Sequence, residues 1–522
     1  MVIVYQGIFL GEGLRLLGHD VRPLRFNGED SATEQIEAVC AEPDLVLLEL
    51  WGKTTLPKDL YACRHRLAAY CIDSCINEFW LVELLQVMDD VFVDQPSSVH
   101  TLARHDVNAV WLPLCISETD FRTPQAKQHD LTFIGRLSDY RMKRRNLVRH
   151  ISRHYSLHHL EGVSKAEMLD VFARSKIVLN ENFFSGLTLR VLQGLAAGSV
   201  VLTEAGGEGV DRYFTHDQHL VCYTPDTILN RIGTILSNYD RFESVALQGQ
   251  TACRTGHTSR IRAEELLNHI RSDYARTARV HQHTRQYAEA RARYLLCLRF
   301  GGSFQTSLPT LFTLSHAQDK TGAKAACTLG DIFARADQRE RAHHFYAQAV
   351  EKGGGVFPKS KIALLLLQDN KPREAKAILT LALASLPEGN GAFFLAELEA
   401  LPDTCAQTPA FLFLLARVYA ILGHVFHLGF LKQTTDNYPD TALELAFLAW
   451  KQSRNVAVLD FMLECAARFG IEGELLPELR YAIEHGFAHD RQILRTAELA
   501  ELYYDKDLAL LILAALRKAK KQ

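Results

Sequence analysis

Between Arg136 and His154 the chain carries seven lysines and arginines against one acid. The chain as a whole holds 58 Lys and Arg against 61 Asp and Glu, a formal charge of −3, so this local excess needs a reason. A solvated helix face accounts for about half of it. The rest suits phosphate oxygens, which arginine grips through two parallel hydrogen bonds and lysine meets as a point charge. Arg136 and Lys143 are the first candidates and Arg141 the next. Further on, Asn180 to Ser185 forms a polar elbow after a short apolar run, and Gly206, Gly207 and Gly209 cluster after a second run. Helix starts at such elbows offer backbone amides to an anion. Two carboxylates, Asp73 and Glu49, stand at the ends of other apolar runs, where an acid can take a proton from a hydroxyl. For Asp73 a helix N-cap is an equally suitable role, and Glu49 is the weaker candidate. His150, His154 and His158 fall at i, i+4 and i+8 only if one helix covers them. YSLHHLEG reads as a strand with its turn, so no metal site is expected. His19, a lone histidine, is read as structural.

The elements that must position these groups follow from periodicity. Lys176 to Leu179 reads as a strand, Gly186 to about Ala197 as a helix with Leu187, Val191 and Leu195 on one buried stripe, and Ser199 to Thr203 as a β-branched strand after Gly198. A further helix follows the glycine cluster. This is a βαβ unit with two helix N-termini at one edge of a parallel sheet, the edge where open α/β sheets bind ligands. Earlier strands are expected at Val2–Tyr5, after the LLGHDV segment, and at Leu45–Leu50, Ala68–Ile72, Val91–Asp94 and Ala109–Leu112. Later ones are expected at Leu131–Gly135 and Leu220–Tyr223, followed by helices at Thr227–Tyr239 and Ile261–Tyr274. Alternating strands and helices mark an α/β protein. The polar segment Ser117–His129, with Pro124, reads as a linker. Residues 1–120 and 130–275 are thereby expected to form two Rossmann-like lobes.

The stretch Lys176–Phe214 resembles the C-terminal lobe of GT-B glycosyltransferases, particularly the spore-maturation-protein-like group. The matching residues are Arg190, Gln193, Ala197, Gly198 and VVLTE at Val200–Glu204. The opening strand with Gly7, Gly11 and Gly13, the GH-D-V segment, and AAYCIDS, VFVDQ and WLPL are similar to the N-terminal lobe. HTSRIRAEELL, His257–Leu267, is similar to the closing helix. Many retaining members have two glutamates eight residues apart, the second binding the donor ribose; here those positions are Ser185 and Gln193, so both charges are absent. Where the family often has Asp-Ser-Pro, this chain has Asp73, Ser74 and Cys75. The resemblance covers residues 1 to about 275. It implies a nucleotide-sugar donor whose diphosphate meets Arg136, Lys143 and the amides near Ser185, Gly186, Gly207 and Glu208, with Arg190 and Gln193 nearby. It also implies Asp73 as acceptor-side base and no bound divalent ion or other cofactor.

From about residue 280 strand signals give way to Ala and Leu at helical spacing. Ala342, Tyr346 and Ala349 match Ala375, Leu379 and Ala382 at a period of 33, and Leu329, Gly330 and Phe333 match Ile362, Ala363 and Leu366. Pro387 falls where the second unit should end. Small residues alternating with large ones in paired helices follow the tetratricopeptide pattern. Tyr287, Ala290 and Tyr294 suggest an earlier unit and Phe411–Pro439 a later one. Residues 280–522 are expected to form a helical solenoid.

The fold class is therefore α/β plus all-α, a GT-B pair of lobes followed by tetratricopeptide-like repeats. The near-neutral charge argues against a general nucleic-acid binder. Eleven scattered cysteines, no CxxC pair and no basic N-terminal region suit a cytoplasmic protein. The apolar run Leu508–Leu516 is too short to span a bilayer, which takes about 20 residues. The expected activity is sugar transfer to an acceptor, a flagellin or other surface protein presented by the repeats. Two alternatives stay open: a surface-polysaccharide glycosyltransferase, and a scaffold whose lobes have lost catalysis.

Overall fold

The computed structural model describes residues 1–123, 125–138, 141–183, 186–272, 281–301, 305–386, 390–402, 408–427 and 439–519. Pro124, Ser185, Tyr274 and Pro387, singled out above, lie outside the described residues. The chain divides into two compact units, Met1–Val280 with Leu502–Tyr504, and His281–Glu501 with Asp505–Gln522.

The first unit holds two parallel sheets, which match the expected pair of Rossmann-like lobes. One runs β2-β1-β3-β4-β5-β6, formed by β1 Val2–Gln6, β2 Asp20–Pro23, β3 Leu45–Leu50, β4 Leu67–Cys71, β5 Asp90–Val93 and β6 Val110–Trp111. The other runs β11-β10-β9-β7-β8, from β7 His129–Ile134, β8 Leu157–Leu160, β9 Ser175–Leu179, β10 Val200–Glu204 and β11 Val221–Tyr223. Every pairing is parallel, with Val4 opposite Val46 in the first sheet and Leu131 opposite Ile177 in the second. Strands such as β3, LVLLEL, are buried at every position because helices cover both faces.

The strand order reverses between β1 and β3 in the first sheet and between β7 and β9 in the second. The crevice outside the carboxyl ends of such strands is where open α/β sheets take ligands. Gly7 and Leu50 follow or end the first pair; Gly135 and Asn180 follow the second.

Two elements depart from the sequence reading. A helix covers Tyr239–Gly256, where no element was expected. The closing helix, Ser259–Arg271, was grouped with the second lobe but packs on the first sheet. Ala263, Leu266, Leu267 and Ile270 join the apolar cluster of Ile3, Leu47, Tyr70 and Phe92. Gly13 makes this approach possible, since a Cβ there would stand 2.1 Å from the Ser259 carbonyl oxygen.

The second unit is helical throughout its described residues. Helices Lys320–Arg335 and Arg339–Glu351 pair, as do Val356–Gln368 and Pro372–Leu383. Gly330 brings the first pair together: a Cβ there would lie 2.4 Å from the Tyr346 ring. Ala342, Tyr346, Ala349, Ala375, Leu379 and Ala382 are all fully buried, so the residues that repeat in sequence are those that pack. One inner cluster is ionic. Asp440 pairs with Arg335 and with Lys361, whose side chain is 0% exposed, while Asp331 takes Arg291 at 3.4 Å and the Tyr346 hydroxyl at 2.8 Å. Burial raises the Asp440 pKa, but Arg335 and Lys361 together hold it far below the carboxylate range. Among the described residues no helix is long and apolar enough to cross a membrane.

Candidate active site

Asp73 follows β4 and immediately precedes the helix Ser74–Leu84. It adopts left-handed backbone angles, φ 50° and ψ 43°, a conformation that costs a non-glycine residue about 1–2 kcal/mol. It holds the N-cap position, as one of its two readings expected, but its carboxylate makes no capping bond and accepts no hydrogen bond among the described residues. The side chain is exposed, on a junction whose flanking residues Ile72 and Ser74 are buried. Loss of bulk water pushes its pKa up to about 6, with the neighbouring Asp94 adding to the rise and Arg141 opposing it. A carboxylate that titrates there is ionised at neutral pH yet more basic than an ordinary aspartate, as a general base should be.

Glu49 is a different kind of residue, and its assignment as a candidate base is corrected. It is 0% exposed and accepts from the Tyr5 hydroxyl at 2.5 Å and the amides of Ile8, Phe9 and Leu10 at 2.6, 3.0 and 2.9 Å. The carboxylate closes the loop after β1 by serving the amides that precede the helix Gly11–Leu16, and no acceptor hydroxyl can reach it.

At the second switch point stands Arg190, on the helix Leu189–Ala196. Its Nε donates to the Ile134 carbonyl at 3.2 Å and its Nη1 to Asn180 Oδ1 at 3.1 Å, and its guanidinium lies 4.8 Å from the Phe133 ring centre. Gly135 has φ +157°, a conformation that other residues rarely adopt, and a Cβ there would lie 2.8 Å from Arg190 Nη2. Among the described residues no carboxylate hydrogen-bonds to it. Loss of water and the neighbouring Arg144 push its guanidinium below the usual arginine range. Glu181, which pairs with Arg144, acts on it electrostatically but does not hydrogen-bond to it among the described residues, so the part-buried guanidinium can still take an anion.

The other candidates divide. Arg136, next to Gly135, is exposed and carries no ion pair or hydrogen bond among the described residues. The Arg141 guanidinium, at the N-cap of the helix Met142–Ser152, lies 3.8 Å from the Phe183 ring centre and acts electrostatically on Asp73. Lys143, expected on the diphosphate, pairs instead with Glu204, and the adjacent Arg144 pairs with Glu181 at 2.8 Å. Without a donor present, both positive charges are met by these carboxylates. Gly186 packs directly on Gln95 of the first lobe, where a Cβ would collide with the Gln95 amide oxygen at 1.8 Å. Gln193 is buried one turn after Arg190. Gly207 precedes the short helix Glu208–Tyr213, and Glu208 is exposed.

Three polar residues escaped the sequence reading. Asn180 is fully buried; its Oδ1 takes Thr188 and Arg190 at 3.1 Å while its Nδ2 donates to Thr203 at 2.9 Å, so it holds Arg190 in place. Asp94 and Gln95 end the VFVDQ segment and face the Asp73 turn. Their one signal was a polar pair closing an apolar strand. His158 sits on β8 stacked on His129 at 4.0 Å, apart from the helix of His150, and the described residues contain no group of three metal-ligating side chains.

Residues 123–268 match the glycosyl transferase-like family. That match covers the second lobe, including Arg136, Arg190 and Gln193. No curated protein matches the chain. Among solved structures, a sucrose-phosphate synthase from Thermosynechococcus elongatus is similar over 51% of this chain and 92% of its own, at 12% identity and a TM-score of 0.39. HepE of Anabaena, in complex with UDP and glucose, is similar over 50% of this chain and 88% of its own, at 12% identity and a TM-score of 0.36. An alpha-glucosyltransferase in complex with UDP and DNA is similar over 52% and 98%, at 11% identity and a TM-score of 0.40.

Proposed function

We propose that the first unit is a nucleotide-sugar-dependent glycosyltransferase. The observation that carries this is Arg190, a part-buried guanidinium that no carboxylate hydrogen-bonds among the described residues, at the switch point of a sheet whose sequence matches the glycosyl transferase-like family. The donor diphosphate takes that charge, with exposed Arg136 beside it. The acceptor hydroxyl oxygen attacks the anomeric carbon, the bond from that carbon to the diphosphate oxygen breaks, and the diphosphate leaves with the electron pair. Asp73 takes the hydroxyl proton. The reading needs no resident divalent ion, because arginine meets the leaving charge. Calorimetric titration with nucleoside diphosphates and their sugar esters tests it: binding by the wild type and its loss in Arg190→Ala support the proposal, and no binding to any of them sinks it.

For the second unit the proposal is a tetratricopeptide-like array that presents a protein acceptor, a flagellin or other surface protein, in the cytoplasm. The buried 33-residue repeat supports this. So does a cleft of about 400 Å³ lined by Glu397, Phe413, Arg417 and Asn455, an aromatic, charged and amide lining suited to an extended peptide. Intact masses of surface and flagellar proteins, with and without this chain in its host, would show a hexose-sized increment. Ending the chain near Thr277, which also removes Leu502–Tyr504 from the first unit, should make transfer to protein fall steeply while donor binding remains; loss of donor binding as well would make the helices a buttress, and transfer at the full rate would remove the second unit from acceptor selection.

A scaffold reading draws on one observation: Gln193 and Ser185 stand where the related enzymes carry carboxylates. Donor binding without transfer or donor hydrolysis would favour it.

A further inference from the structure

Strand-to-helix junctions ordinarily place an Asp so that its own carboxylate receives the first free amides of the helix. At the helix Ser74–Leu84 those amides go elsewhere. The Asp73 N–H donates to Asp94 Oδ2 at 2.8 Å and the Ser74 N–H to Asp94 Oδ1 at 2.9 Å. The Ser74 hydroxyl adds 2.8 Å and the Gln95 amide 3.1 Å to the same carboxylate, which is 0% exposed. We infer that Asp94 is a positioning residue for Asp73: it takes over the capping duty from the end of the next strand, locks Asp73 in its left-handed turn, and leaves the Asp73 carboxylate open to solvent and without a hydrogen bond among the described residues.

Four donors converge on Asp94, and only an ionised carboxylate accepts from all of them; burial pushes its pKa up and these donors oppose the rise. The negative charge so held faces Asp73 and reinforces the rise caused by desolvation. The other groups facing the pair do not cancel it. Tyr70, Cys71 and Cys75 are neutral, their pKa values raised by burial, and Glu78 is a further acid, raised to about 6 and bonded to Ser98. Among the described residues Arg141 alone opposes, from the second lobe. Left-handed backbone at a non-glycine residue persists only where its surroundings over-determine it, and paired amides fixed on a buried carboxylate do so here.

The inference deepens the proposed reaction and its catalytic meaning rests on that reading, but the arrangement is testable without substrate. In full-length protein the Asp73 carboxyl carbon is followed by ¹³C NMR across pH. The wild type should titrate near 6, and Asp94→Asn should lower the midpoint toward the ordinary aspartate range; an unmoved midpoint overturns the inference. A second variant keeps it falsifiable if Asp94→Asn does not fold. Asp73→Gly should raise Tm by about 1–3 °C at pH 8, because glycine relieves the left-handed turn and Asp94 still caps. A fall in Tm means that the Asp73 side chain was itself the cap, and overturns it. If the acid limb of sugar transfer moves with the NMR midpoint in Asp94→Asn, Asp73 is the base. A limb that stays while the midpoint moves removes Asp73 from the chemistry and leaves the role of Asp94 standing.

Discussion

Both units enclose charge, but they treat it differently. In the helical unit Asp440 and Asp331 are met by Arg335, Lys361 and Arg291. In the α/β unit the Asp73 carboxylate and the Arg190 guanidinium have no ionic hydrogen-bond partner among the described residues, although Lys143 and Arg144 nearby are paired. Enclosed charges that are paired hold elements together, and breaking one strands the other. Charges left without an ionic partner at strand ends, the part-buried Arg190 and the exposed Asp73, persist where a ligand or a proton supplies the missing partner. The contrast predicts that mutations in the helical cluster act on stability and mutations at the strand ends act on binding and rate.

The largest effect should come from Asp440→Ala, which leaves Lys361 and Arg335 uncompensated. A loss of ~3–5 kcal/mol in unfolding of the second unit is expected by denaturant titration. A variant as stable as wild type would show that the cluster is not structural. Next is Arg190→Ala, with donor affinity down about 100-fold or more, roughly 2.7 kcal/mol, and an unchanged or higher Tm; a large fall in Tm with affinity retained would reverse the comparison.

Comparable in size is Asp73→Asn, where turnover should fall by ~10²-fold while donor affinity holds. Near-normal turnover removes Asp73 from the mechanism. In the wild type, turnover should decline as pH falls through about 6, where Asp73 takes up its proton.

A smaller effect has the opposite sign. The folded-state pKa of Asp73 is raised, so its protonated form favours the fold; stability is fullest below the unfolded value of about 3.9 and declines as pH rises through about 6. Asp73→Asn removes that loss. Its Tm advantage over wild type should grow between pH 4 and pH 8 by about 1–2 °C, modest because the side chain reaches solvent. An advantage independent of pH would assign it to backbone strain alone. The smallest expected effect is none: EDTA should leave transfer unchanged, and a loss restored by a divalent ion would overturn the arginine-based reading.

What sequence alone determined is what depends on neighbours along the chain. The β-branched and apolar runs of β1, β3 and β9 were legible because parallel strands buried on both faces need continuous apolar residues. The helix expected from Gly186 to about Ala197 is Leu189–Ala196: Val191 and Leu195 of its stripe lie on it, while Leu187 is buried just before its N-cap, Thr188; the 33-residue repeat was legible from the small residues that seat paired helices. A local excess of basic residues marked the region of Arg136 and Arg141. Tertiary structure decided which charges survive folding. Lys143 and Glu204 are 61 positions apart and Asp73 and Asp94 are 21 apart. Nothing in local spacing says that the first pair neutralises itself while the second leaves one carboxylate capped and the other free. Glu49 and Asp73 look alike at strand ends, yet one is consumed by three loop amides and a tyrosine, and the other is released because a neighbouring strand supplies its cap. A carboxylate's role depends on which donors the fold brings within hydrogen-bonding distance and on how much water it removes, and both are properties of the packed molecule.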